Sequence, residues 1–284
     1  MMHDDQPDPK VSSSPHDPAP LPIPRNPKAS WTLGEWDRMW RPSMWLRKPP
    51  RPHHTHWWHV AAIVALIGYA NVVANSILDS NWHVLFNLGI LGVAIFIARH
   101  AGTTWSDLGM RRDRIGRGLV VGGIVMGVIG FGIAIGVAVP ASRDLFMDER
   151  VTESTTAEVL IQALFRIPLV TAFYEEALFR GVLFGMFVRR WSPLWAALAS
   201  SAVFGMWHIL PTLETLQTNP AGDLFSGILG LAAAELGTVI GTMAAGLVFL
   251  WLRLRANSVV APILAHIATN SFALLAALLV VRFL

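Results

Sequence analysis

The sequence predicts an all-α fold, a polytopic transmembrane helix bundle of about seven spans with a disordered N-terminal arm. Three observations carry that prediction. The 284 residues are 53% hydrophobic and only 14% charged, with a mean hydropathy of +0.47, whereas a soluble domain carries about 25% charged residues. Apolar runs of about 20 residues, enough to cross a hydrocarbon core, recur from residue 57 to the C-terminus. Arginines gather in alternate loops, as orientation in a membrane requires.

The composition also excludes function classes. The chain has no cysteine, which rules out disulfides, thiolate metal sites and a cysteine nucleophile. A pI near 9.8 would suit nucleic-acid binding, but the basic residues flank apolar spans. Membrane orientation accounts for them, so the expected partners are membrane lipids and not nucleic acid.

The chain divides into an arm, 1–56, and a transmembrane domain, 57–284. Residues 1–30 hold eight prolines among Ser, Asp and Ala, and such a stretch buries too little apolar surface to offset its ordering entropy. Residues 31–51 alternate Trp31, Trp36, Trp40 and Trp45 with Arg38, Arg41, Arg47, Lys48 and Arg51. Indole and guanidinium groups suit the headgroup layer, so this part is expected to lie on the cytoplasmic leaflet as an interfacial anchor. The run His53-His54-Thr55-His56-Trp57-Trp58-His59 has no carboxylate or cysteine beside it and is expected to be a juxtamembrane polar collar.

Spans are expected over roughly 57–78, 82–98, 118–139, 155–188, 193–210, 224–252 and 258–281. The third is rich in glycine, which suits close helix packing. The fourth holds Pro168 and, at about 50 Å if helical, is either one kinked span or two elements. A single span keeps Arg189, Arg190, Arg253 and Arg255 on the same side as Arg99, Arg111, Arg112, Arg114 and Arg117. The positive-inside rule therefore favours seven spans over eight, with the N-terminus cytoplasmic.

Three short patterns fall inside these spans. Glu175-Glu176-Ala177-Leu178-Phe179-Arg180 reads E-E-x-x-x-R, Phe204 to His208 reads F-x-x-x-H, and His266 to Asn270 reads H-x-x-x-N. Ionisable groups inside a bilayer are costly and point to function. Counted from the cytoplasmic ends, Glu175 stands about 21 Å deep, His208 about 24 Å, and His266 and Asn270 about 16 and 22 Å. Three helices thus bring polar groups to a similar depth. Glu176 and Arg180 are spaced i, i+4 and are expected to pair, while Glu175 sits about 100° round the helix and is left for chemistry. Arg166 and Glu235 stand at a common depth and are expected to form a structural ion pair between spans four and six.

With these motifs the chain resembles the CAAX prenyl protease 2 and bacteriocin-immunity (CPBP, Abi) family of intramembrane proteases. The likeness covers roughly residues 100–282, with the motif core at 155–282, and includes Phe179-Arg180-Gly181 and Ala261-Pro262-Ile263-Leu264-Ala265-His266. It implies a membrane-embedded endopeptidase acting on a membrane-associated peptide or protein in a bacterial cell membrane. Carried over, Glu175 is the base that activates water and His208 its partner. His266 and Asn270 are the oxyanion donors, and Glu176, Arg180 and Phe204 support them. No cofactor is expected; the alternative is zinc held by Glu175, His208 and His266, although H-E-x-x-H is absent. Against transport, no inverted repeat is visible. A transporter or a non-catalytic immunity or scaffold protein is the competing class.

Overall fold

The computed structural model describes residues 31–47, 49, 55–218 and 227–284. The disorder expected of residues 1–30, and the collar residues His53 and His54, lie outside the described residues. Two short helices come first, α1 Leu33–Trp36 and α2 Pro42–Trp45. Then follow α3 Trp57–Ser76, α4 His83–His100, α5 Ile115–Ala138 and α6 Thr156–Phe187. The chain continues through α7 Pro193–Trp207, α8 Ile209–Thr218, α9 Gly227–Ala256 and α10 Val260–Phe283. Among the described residues seven helices are long and apolar enough to cross a membrane. Among the described residues there is no strand.

The ambiguous fourth region is one continuous helix of 32 residues. Its hydrogen bonding widens to the π form over Gln162–Phe173, which contains Pro168, and again over Ala177–Leu183. Proline cannot donate to the preceding turn, and a π turn re-registers the ladder around it without breaking the helix. Its C-terminal turns are surrounded by protein: Leu183, Phe184, Met186 and the adjoining Val188 are fully buried.

α10 packs along α5, the N-terminal half of α6 and the C-terminal end of α9, while α7 packs along α9. The glycine prediction holds for one face of α5. A Cβ on Gly122 would fall 3.0 Å from the Ala261 backbone and one on Gly118 2.8 Å from the Ser258 hydroxyl, whereas Gly123, Gly127 and Gly132 meet nothing. The stripe facing α10 needs to be small, as does Gly136, where a Cβ would stand 2.9 Å from Phe146 Cζ.

The described part of the arm packs on protein, with Trp31, Trp36, Met39 and Met44 buried and Leu33 and Leu46 left exposed. Trp31 Nε1 donates to the Val188 carbonyl at 3.0 Å and Trp36 Nε1 to Asp107 Oδ1 at 3.3 Å. Asp107 Oδ2 in turn accepts from Arg189 Nη1 at 3.0 Å, and Arg253 stands 4.3 Å over the Trp36 ring. Arg114 Nη2 reaches Asp37 Oδ2 at 2.9 Å. Buried guanidinium groups require a carboxylate or an aromatic face, and the arm with the loop after α4 supplies both. So this part of the arm belongs structurally with the 57–284 domain.

The polar collar is a chain of imidazoles. The His56 backbone N–H donates to His59 Nδ1 at 3.1 Å, and His59 Nε2 lies 3.0 Å from His100 Nδ1. Since His59 Nδ1 accepts, its Nε2 carries the proton and donates to His100.

Candidate active site

Glu175 and Glu176 occupy the short α-helical turn Tyr174–Glu176 between the two π segments of α6, and both are buried. Their roles diverge as the helical phase predicts, with one addition. Arg180 Nη1 donates to Glu176 Oε1 at 2.8 Å, and His266 Nδ1 lies 2.9 Å from the same oxygen. The sequence reading placed Arg180 on Glu176 but did not place His266 there. α10 lies along α6 and brings His266 to it; on the same side Ser271 Oγ donates to the Ala163 carbonyl of α6 at 2.7 Å.

Aromatic rings complete this cluster. Arg180 lies 3.8 Å over the Phe204 ring and 5.3 Å from that of Phe249, and His266 stacks on Phe249 at 5.2 Å. Gly246 makes room for the guanidinium: a Cβ there would stand 3.2 Å from Arg180 Nη2. Phe204, the first residue of F-x-x-x-H, therefore serves as the face on which Arg180 rests.

Glu175 has a different environment. Its Oε1 accepts from Trp207 Nε1 at 3.2 Å, and its Oε2 is buried and bonded to nothing. Trp207 is a site residue that the motif reading missed. The available signal was an indole N–H in an apolar helix, a donor that needs an acceptor when buried.

His208 ends α7, half-buried, with Nδ1 2.8 Å from the Phe204 carbonyl. A carbonyl only accepts, so Nδ1 carries the proton and Nε2 keeps its lone pair free. By the same logic His266 gives Nδ1–H to Glu176 and presents Nε2. Asn270 is exposed, and its Oδ1 accepts from Thr269 Oγ1 at 3.3 Å. His208 and Asn270 make no direct bond to Glu175.

Among the described residues no three His, Cys, Asp or Glu side chains are grouped as metal ligands are, and Glu175, His208 and His266 form no such group. The Arg166–Glu235 ion pair is not formed. Both oxygens of Glu235 are buried and accept no hydrogen bond. The reason is packing: α9 lies along α7, whereas the part of α6 bearing Arg166 lies along α10. Equal depth did not mean adjacency.

Residues 157–272 match the family model described as Type II CAAX prenyl endopeptidase Rce1-like. No curated protein and no solved structure matches the chain. The matched segment contains Glu175, Glu176, Arg180, Phe204, His208, His266 and Asn270, and it lies in a bundle of seven candidate membrane spans. Over this segment the chain is similar to the Rce1-like type II CAAX prenyl endopeptidases, a likeness that implies a CAAX-type intramembrane protease, and its seven candidate spans are those of a multi-pass membrane protein.

Proposed function

We propose that the protein hydrolyses a peptide bond of a membrane-associated peptide or protein with water activated by Glu175. One observation carries the reading. Of two adjacent buried carboxylates, each keeps one unpartnered oxygen, but Glu176 accepts from both Arg180 and His266 whereas Glu175 accepts only from the neutral Trp207 indole. The carboxylate without a hydrogen-bonded cation is the one suited to take a proton during turnover.

In this mechanism Glu175 Oε2 removes a proton from water as the water oxygen attacks the carbonyl carbon. Trp207 holds the other oxygen and so fixes the carboxylate plane. His208 Nε2 orients the same water. The carbonyl becomes a tetrahedral oxyanion, and donors aimed at that charge lower the barrier. His266, held through Nδ1 by Glu176, presents Nε2 for this, and Asn270 contributes its side-chain amide Nδ2. The C–N bond then breaks, and the proton on Glu175 passes to the leaving amine.

The test is cleavage of an internally quenched peptide ending in a farnesylated CAAX sequence, by purified full-length protein in micelles. In parallel, membrane proteomes are compared between cells carrying wild-type protein and Glu175→Gln. Glu175-dependent cleavage of the probe, or of any membrane protein, supports the reading. No Glu175-dependent product in either experiment assigns the chain a non-catalytic role.

A further inference from the structure

The loop between α4 and α5 is mostly interior: Thr103, Ser106, Asp107 and Leu108 are buried. Its outer edge is open. Trp105, Met110, Arg111, Arg112 and Asp113 line a groove of about 460 Å³. α4 ends at His100 and the third candidate span begins at Arg112, so the groove lies where the bundle meets the edge of the bilayer.

The chemistry of the groove is two-sided. Its apolar part is Trp105, 48% exposed, together with Met110. Its polar part is cationic. Arg111 donates through Nε to Asp113 Oδ1 at 2.8 Å and through Nη2 to Oδ2 at 2.5 Å, which leaves Nη1 for another acceptor. The Arg112 side chain is exposed, and its guanidinium bonds to no described residue. Arg99 stands 5.1 Å from the Trp105 ring centroid, and the Trp105 indole N–H has no acceptor among the described residues. Asp113 is held by Arg111 and lies 3.7 Å from Arg114 Nε, while Arg112 and the Trp105 indole N–H beside it bond to no described residue.

We propose that this groove binds the headgroup of an anionic phospholipid. The phosphodiester oxygens accept from the Arg112 guanidinium, Arg111 Nη1 and the Trp105 indole, and the glycerol end of the lipid lies on Met110 and the indole face. An amphipathic ligand fits because donors and apolar surface adjoin at the membrane edge. A soluble anion would leave the exposed indole face uncovered. Met110 also touches Gly181, where a Cβ would stand 2.9 Å from Met110 Cε. The lipid is thus one side chain away from the helix turn after Arg180.

The experiment uses full-length protein, delipidated in a neutral detergent and titrated with dioleoyl phosphatidylglycerol under native mass spectrometry. Dioleoyl phosphatidylcholine and inorganic phosphate are the comparison ligands. One phosphatidylglycerol is expected to bind more tightly than the rest. A surface cation contributes about a fivefold change in lipid affinity, so Arg112→Ala should weaken that binding by about 5-fold and Arg112→Glu by about 30-fold. Arg112→Lys should retain it in large part, and Trp105→Ala should weaken it without any change in charge. Arg38→Glu, an equal charge change at an exposed residue of the docked arm, is expected to leave the tight site intact. Equal losses for Arg112→Glu and Arg38→Glu would overturn the proposal in favour of diffuse charge. Equal binding of phosphatidylcholine, or displacement of the lipid by inorganic phosphate, would overturn it as well. Because Arg112 is exposed, the size-exclusion profile of its variants should match wild type. A variant that aggregates is replaced in the comparison by Trp105→Ala.

Discussion

His266 and Arg180 share one acceptor: His266 Nδ1 lies 2.9 Å, and Arg180 Nη1 2.8 Å, from the same oxygen of Glu176. The pairing joins α10 to α6 through a single carboxylate. It means that the second glutamate of E-E-x-x-x-R orients the histidine of H-x-x-x-N, so two motifs act as one unit. The first glutamate is left to Trp207.

Glu175→Gln is expected to abolish cleavage of the farnesylated probe while expression and thermal stability stay near wild type. The amide fills the same space and can still accept from Trp207, but it cannot take a proton from water. Retained turnover in the purified variant would remove Glu175 from the role of base.

Arg180→Ala should cost more stability than Glu175→Gln. It leaves the Glu176 charge with His266 as its one hydrogen-bonding partner and removes a guanidinium stacked on Phe204. Breaking a buried ion pair from one side costs about 3–5 kcal/mol. Thermal unfolding in a single detergent, followed for both variants, checks this. Equal midpoints would show that the Glu176–Arg180 pair contributes little.

Incubation with a chelator should leave activity unchanged if Glu175 alone activates the water. Loss of cleavage that zinc restores would establish the metal reading, with Glu175, His208 and His266 as the ligands to mutate next.

Trp36→Ala should destabilise the membrane domain although Trp36 lies outside the family segment. The indole is fully buried, donates to Asp107 and lies under Arg253. Large-to-small truncation of a buried aromatic costs about 3–5 kcal/mol. A midpoint within a degree or two of wild type, with Trp36→Phe giving the same result, would show that the arm is not docked in the working protein.

The sequence by itself determined the membrane class, the seven spans and the i, i+4 pairing of Glu176 with Arg180. Each of these follows from one-dimensional properties: run length against bilayer thickness, arginine bias between loops, and the angular period of a helix. It also brought the motif residues to a common depth, because rise per residue is constant. What it left open is what depends on which helix stands beside which. Depth agreement was satisfied equally by His266 near Glu176 and by Arg166 near Glu235, yet only the first pair meets, since α10 and not α9 packs against α6 at the relevant level. The burial of Trp31 and Trp36 was likewise invisible. A tryptophan–arginine stretch has the same composition whether it covers lipid or covers Asp107, Arg189 and Arg253. The choice was made by buried charges on distant helices that needed partners, and those become neighbours only in the folded bundle.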